Sequence, residues 1–179
     1  MFKKINLFSK TENKILDFIS KSSDMLYEKE IAQKTDVSTA SAYFTLNRFA
    51  KMGLVEKTKK GRMSFYSAAI NNPALRQFKI YNTVSGLSPV IEKLSPFSKR
   101  IILFGSCARG ANTDRSDIDL FILSAEKDKI RRLLDAYPLI QAIILNSSEW
   151  VILSKSDKPL HDRISAGIVL WEAENGPEL

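Results

Sequence analysis

A hydrophobic run, Arg100-Ile-Ile-Leu-Phe104, leads directly into Gly105-Ser-Cys-Ala-Arg-Gly-Ala-Asn-Thr-Asp-Arg-Ser-Asp-Ile-Asp119, and a second apolar run, Leu120-Phe-Ile-Leu123, follows at once. This spacing predicts two strands with a tight turn and a short helix opening at Gly105. The free backbone N–H groups of such a turn suit a phosphate chain. Asp117 and Asp119 stand two residues apart where the second strand begins, which predicts both carboxylates on one face. Alone, Gly-Ser after a strand is an ordinary turn and Asp-x-Asp a solvated strand edge. In combination, between two apolar strands, they suit hydrated divalent cations carrying a nucleoside triphosphate.

Gly-Ser-x-Ala-Arg-Gly, a short loop and Ser-Asp-Ile-Asp-Leu resemble the minimal nucleotidyltransferases of the DNA polymerase beta superfamily, and the likeness covers roughly residues 97–174. The resemblance implies that Gly105 and Ser106 face the triphosphate, that Asp117 and Asp119 bind Mg2+ or Mn2+, and that Arg109 steadies the loop or the phosphates. The implied reaction is transfer of a nucleoside monophosphate from an NTP, ATP being the expected donor, to a hydroxyl acceptor. Some relatives modify a partner ribonuclease toxin of the HEPN type, so an acceptor protein of that kind is an implied partner.

Family members place a third carboxylate near the start of a later strand. Here the next strand candidate is Ile140-Gln-Ala-Ile-Ile-Leu145, and the position falls on Gln141. An amide accepts a hydrogen bond but takes up no proton and supplies no negative charge to a cation. Glu149 and Asp157 lie downstream and are the substitute acids, Glu149 only if its segment folds back. Cys107 has no second cysteine to pair with and reads as a small packed side chain. His161, the only histidine, lies in a predicted helix over 157–166 and reads as a surface or partly packed residue. Trp171, in the closing strand candidate 166–172, is assigned to packing.

The first seventy residues follow a different pattern. Ile15, Leu16, Phe18 and Ile19 fall on one side of a helix that Thr11 would cap. A short helix over 28–34 and a turn follow, and Ser38 would cap a third helix over 39–52 that ends at Gly53. Leu54 to Thr58 and Met63 to Ser67 read as strands flanking the basic turn Lys59-Lys-Gly-Arg62. Three helices and a basic hairpin resemble a winged helix-turn-helix over residues 8–70. The resemblance implies that the third helix enters the DNA major groove while the wing touches phosphates. By position, Thr39, Ser41, Ala42, Thr45 and Arg48 would face DNA, Tyr43, Leu46 and Phe49 the core, and Lys59, Lys60 and Arg62 the backbone.

Residues 1–70 carry 13 Lys and Arg against 7 Asp and Glu, a net +6, whereas residues 71–179 carry 14 against 13, a net +1. Nearly all the excess positive charge therefore sits on the segment that resembles a DNA reader, as neutralising phosphates requires. Winged helices also mediate protein contacts, for which a few lysines serve only solubility.

The expected fold class is α+β: an N-terminal winged helix-turn-helix over 1–70, a partly helical connector over 71–96, and a nucleotidyltransferase-like α/β domain with a small mixed sheet over 97–179. Within the connector a helix from Pro73 through Tyr81 is predicted, with Ser85-Gly-Leu-Ser-Pro89 as punctuation. Two functions fit: a DNA-binding nucleotidyltransferase, or a transcription regulator whose degenerate transferase domain binds nucleotide without catalysis. The expected partners are double-stranded DNA and a nucleotide, with a homodimer suggested by the habit of winged helices to pair on two half-sites. No apolar stretch is long enough for a membrane span or signal peptide, so the expected location is cytoplasmic.

Overall fold

The structure, a computed structural model, describes residues 8–174. The chain divides into two compact units, one built from residues 8–82 with 110–115 and the other from residues 83–109 with 116–174.

The first unit contains α1 (Lys10–Lys21), β1 (Leu26–Tyr27), α2 (Glu28–Lys34), α3 (Thr39–Lys51), β2 (Val55–Lys60) and β3 (Met63–Ala68). Ser9 rather than Thr11 caps α1, because Ser9 and Glu12 form a reciprocal box: the Glu12 N–H donates to Ser9 Oγ (3.2 Å) and the Ser9 N–H to Glu12 Oε2 (2.9 Å). Ser38 caps α3 as its position predicts, accepting from the Ser41 N–H at 3.1 Å. Ile15, Leu16 and Ile19 of α1 meet Ile31, Leu46, Phe49 and Tyr66 in a fully buried core. The strands form an antiparallel sheet in the order β1-β3-β2. Lys59 and Lys60 lie in β2, so the hairpin turn itself is Gly61-Arg62. Three helices followed by an antiparallel hairpin make up this unit, in the element order that the sequence predicts.

Helix α4 (Pro73–Leu94) runs through the serine, glycine and proline of 85–89 without a break. Pro89 lacks the N–H that would bond four residues back, at a cost of about 3 kcal/mol. Burial of Leu87, Val90, Ile91 and Leu94 on one side offsets that cost. Residues up to Asn82 belong to the first unit and those from Thr83 to the second.

Residues 110–115 also fold with the first unit. The Asp114 N–H donates to the Lys21 carbonyl at 3.1 Å, and Lys79 Nζ donates to the Asn112 carbonyl. Gly110 lies against the backbone of α4 at a φ of +63°, where a Cβ would stand 2.4 Å from the Arg76 carbonyl oxygen. Only glycine allows that approach.

The second unit holds β4 (Arg100–Phe104), α5 (Gly105–Ala108), β5 (Ile118–Leu123), α6 (Lys127–Leu134), β6 (Ile140–Leu145), α7 (Ser147–Ser156), α8 (Lys158–Ser165) and β7 (Ile168–Glu172), after a 3-10 turn over Ser95–Phe97. Its mixed sheet runs β6-β5-β4-β7, with β5 and β6 parallel and the other pairs antiparallel. Ile101, Leu103, Leu120 and Ile122 face a core shared with α4 and α6, while Ile102, Phe104, Phe121 and Leu123 face Trp150 of α7 and Ile164 of α8. The central strands are therefore covered on both sides, which is why they read as unbroken apolar runs rather than alternating ones. Trp171 is 39% exposed on the edge strand β7. Trp150 takes the packing role instead, stacked between Phe121 (4.4 Å) and His161 (4.3 Å), so His161 is partly packed as expected. No helix among the described residues is long and apolar enough to cross a membrane.

Candidate functional site

The period of β5 places Asp119 on the same side as Phe121 and Leu123, the side covered by α7 and α8. Phe104 is its antiparallel partner on β4, and Gln141 is its parallel partner on β6. Immediately after Phe104 the chain turns at Gly105 with a φ of +72°, and a Cβ there would lie 2.0 Å from Asp119 Oδ2. The Gly105 backbone and the Asp119 carboxylate thus occupy adjoining space that no side chain can share. This is the physical reason for glycine at that position.

A cavity of about 420 Å³ opens over these residues, lined by Gly105, Ser106, Arg109, Asp119, Gln141 and Arg163, with Phe104, Ala142, Ile143 and Leu160 supplying apolar wall. The first five positions are those the sequence places together. Arg163, on α8, is an addition: a single arginine in a short amphipathic helix carries no spacing signal that would single it out. Asp117 precedes β5, is exposed and does not line the cavity, yet its charge reaches Asp119. The Asp119 carboxyl is held above its ordinary range by burial and then by the Asp117 charge, while Arg163 and Arg109 pull the other way. Asp119 in the cavity and Asp117 beside it offer carboxylate oxygens, the donor type that suits a hard divalent cation taking its remaining ligands from water and phosphate. The two guanidinium groups suit a polyphosphate.

No described group of three or more His, Cys, Asp or Glu side chains is arranged to hold a metal. The substitute acids are engaged elsewhere. Glu149 closes a capping box on α7, accepting from the Asn146 N–H at 2.8 Å, and forms an ion pair with Lys127. The hydrogen bond from Lys127, and after it the one from the Asn146 N–H, hold the Glu149 carboxyl below its ordinary range. Asp157 caps α8, accepting from the Leu160 N–H at 3.0 Å. Cys107 is buried, with its Sγ 3.4 Å from the Asp117 carbonyl.

On the first unit, α3 buries Ala42, Thr45, Leu46 and Phe49. Ala42 and Thr45 therefore leave the predicted DNA-facing set, and Tyr43, at 45% exposure, leaves the predicted core. The buried stripe 42-45-46-49 sets the helix phase, and Tyr43 falls outside it. Thr39 and Ser41 are exposed. Arg48 is exposed too, but its guanidinium is held by Glu12. Lys59, Lys60 and Arg62 are all exposed on the hairpin. Phe44, 71% exposed, adds an aromatic ring that residue spacing alone does not single out.

Four solved chains are similar to this one at a significant level. A protein from Archaeoglobus fulgidus is 20% identical over 48% of this chain and 92% of its own, with a TM-score of 0.36. A candidate nucleotidyltransferase from Sulfolobus solfataricus is 21% identical over 58% of this chain and 93% of its own, with a TM-score of 0.39. A variant of Lactococcus lactis ZitR is 17% identical over 55% of this chain and 68% of its own, also at 0.39. No curated protein matches the chain. The family described as Polymerase beta, Nucleotidyltransferase matches residues 91–175, a span that holds the Gly105 turn, both aspartates and the whole of the mixed sheet. Residues 91–175 are a nucleotidyltransferase-family domain of the polymerase beta type.

Proposed function

We propose that this chain is a DNA-binding regulator whose nucleotidyltransferase-family domain takes up a nucleotide with a divalent cation and has little or no transferase activity. The observation that carries this reading is Gln141, which lines the cavity directly across the ladder from Asp119, where relatives supply an acid. Glu149 and Asp157 are engaged as helix caps and do not replace it.

Asp117 and Asp119 would hold Mg2+ or Mn2+, the Gly105-Ser106 turn would approach the phosphates, and Arg109 and Arg163 would offset their charge. When bound, the cation would neutralise phosphate charge and polarise the phosphoryl oxygens. Gln141 can orient a hydroxyl by hydrogen bonding but cannot accept its proton. ATP is the first nucleotide to test.

Exposed Lys59, Lys60 and Arg62 on the wing, with the +6 charge of residues 1–70, support double-stranded DNA as the partner of the first unit. Segment 110–115 supports a link between the two ligands. It joins Arg109 to Ser116 along the chain, is hydrogen-bonded to Lys21 and Lys79, and lies at Gly110 close against the Arg76 backbone. A ligand that fixes Arg109 and Asp117 restrains both ends of a segment built into the DNA-binding unit, so nucleotide and DNA affinities would be coupled, reciprocally.

An enzymatic reading, with a hydroxyl of a protein such as a HEPN-type toxin as acceptor, is favoured by the retained Gly105–Asp119 contact. Incubation with alpha-labelled NTPs, Mg2+ or Mn2+ and cell extract separates the two. Metal-dependent nucleotide binding without label transfer is the expected result. Transfer by the parent but not by Asp117→Asn would establish an enzyme.

A further inference from the structure

We propose that α3 reads the 5-methyl groups of thymines through Phe44 and Ala40, an inference that rests on the DNA-binding reading above. With 100° of rotation per residue, the face opposite Ala42, Thr45, Leu46 and Phe49 is centred on Ala40, Phe44, Asn47 and Lys51. A solvated helix face is ordinarily polar. Here its middle is an aromatic ring that is 71% exposed. Tyr43 packs against it edge to face, with centroids 5.5 Å apart and planes at 76°, which holds the Phe44 ring outward.

Asn47 on this face and Arg48 beside it are engaged within the protein, while Lys51 extends its charge from the end of the helix. Asn47 Oδ1 accepts from Lys57 Nζ at 2.6 Å and its Nδ2 donates to the Tyr43 carbonyl at 2.7 Å, so the amide is drawn away from the two-point contact that would read adenine. Arg48, the side chain suited to guanine, is held by Glu12. What the middle of this face presents to a groove is therefore the Ala40 methyl and the Phe44 ring. The apolar group that a base pair displays in the major groove is the thymine methyl. The surrounding charge decides between DNA and an apolar protein surface as the occupant. Lys57, Lys59, Lys60 and Arg62 on the neighbouring hairpin, with no acid among residues 57–62, favour a polyanion whose phosphates flank an apolar reading head.

The test uses the full chain and a duplex that it selects from a random-sequence pool. Thymines in that duplex are replaced one at a time by uracil, which removes the methyl and leaves phosphates and hydrogen-bonding edges unchanged. Fluorescence anisotropy should show affinity falling about fourfold at one or two positions, the worth of one buried methyl group. Phe44→Ala should bind thymine and uracil duplexes equally, with an unchanged thermal midpoint as the check on folding. Indifference of the parent to every uracil, or methyl discrimination that survives in Phe44→Ala, would overturn the proposal while leaving DNA binding intact. Conversion of a dimeric parent into a monomer by Phe44→Ala would assign the face to a second copy and also overturn it. Failure of the parent to bind any duplex in a salt-dependent way would remove the DNA-binding reading, and this one with it.

Discussion

Asp119 on β5 and Gln141 on β6 are direct partners across a parallel ladder, and both line the cavity at the Gly105 turn. Successive residues alternate between faces, so partners in register present their side chains to the same side. An acid at 141 would therefore stand beside Asp119. Gln141→Glu should tighten Mn2+ binding on the order of tenfold, since the added charge acts close to the cation in a partly desolvated site. Titration of free Mn2+ by electron paramagnetic resonance checks this, and the same variant in the labelled-NTP incubation tests whether transfer appears. Unchanged Mn2+ affinity would place the cation elsewhere.

Asp119→Asn should abolish metal-dependent nucleotide binding and leave duplex affinity nearly unchanged. The substitution removes a charge from a site whose other described carboxylate, Asp117, lies outside the cavity. Calorimetric titration with ATP and Mg2+ gives the answer, and full retention of affinity would sink the site assignment.

Gly105→Ala meets two obstacles at once. The φ of +72° disfavours any L side chain, and the new Cβ would lie 2.0 Å from Asp119 Oδ2. The cost should be on the order of 1–3 kcal/mol, read as a lowered thermal midpoint, together with loss of nucleotide binding. Wild-type stability in this variant would mean that the turn relaxes freely.

Glu12 joins the cap of α1 to Arg48 of α3. Burial alone would raise its carboxyl, but the Ser9 N–H, the Ser9 hydroxyl and Arg48 together hold it below the ordinary range. As pH falls between the ordinary value and the lowered one, the unfolded chain takes up a proton that the folded chain does not, so stability declines across that window. Glu12→Gln should be less stable than the parent at neutral pH, with the two converging in acid. Urea midpoints from about pH 7 to about pH 3 would show it; parallel curves would mean that Glu12 contributes nothing ionic.

Replacing Lys59, Lys60 and Arg62 together by Ala should weaken duplex binding and lower the slope of log affinity against log salt by about 3, near one for each phosphate that is no longer neutralised. An unchanged slope would remove the wing from the interface.

Features whose cause is local are legible in the residues alone. The unbroken apolar runs of β4 and β5, the Gly-Ser turn between them, the Ser38 cap and the basic hairpin each follow from a few neighbouring residues, and the structure builds them where the spacing predicts. Gln141 is legible as a departure only through the family resemblance, which implies an acid near the start of that strand. Packing settles what depends on partners distant along the chain. The phase of α3 follows from which residues α1 and the hairpin cover, so Ala42 and Thr45 are buried and Tyr43 and Phe44 stand in solvent. Helix α4 persists through Pro89 because a core assembled from several elements offsets the missing hydrogen bond. Arg163 enters the cavity through the packing of α8, and Glu149 and Asp157 are drawn into caps by the helices they begin. Local spacing encodes backbone geometry, whereas burial and electrostatic partnership arise only when separate segments compete for the same space.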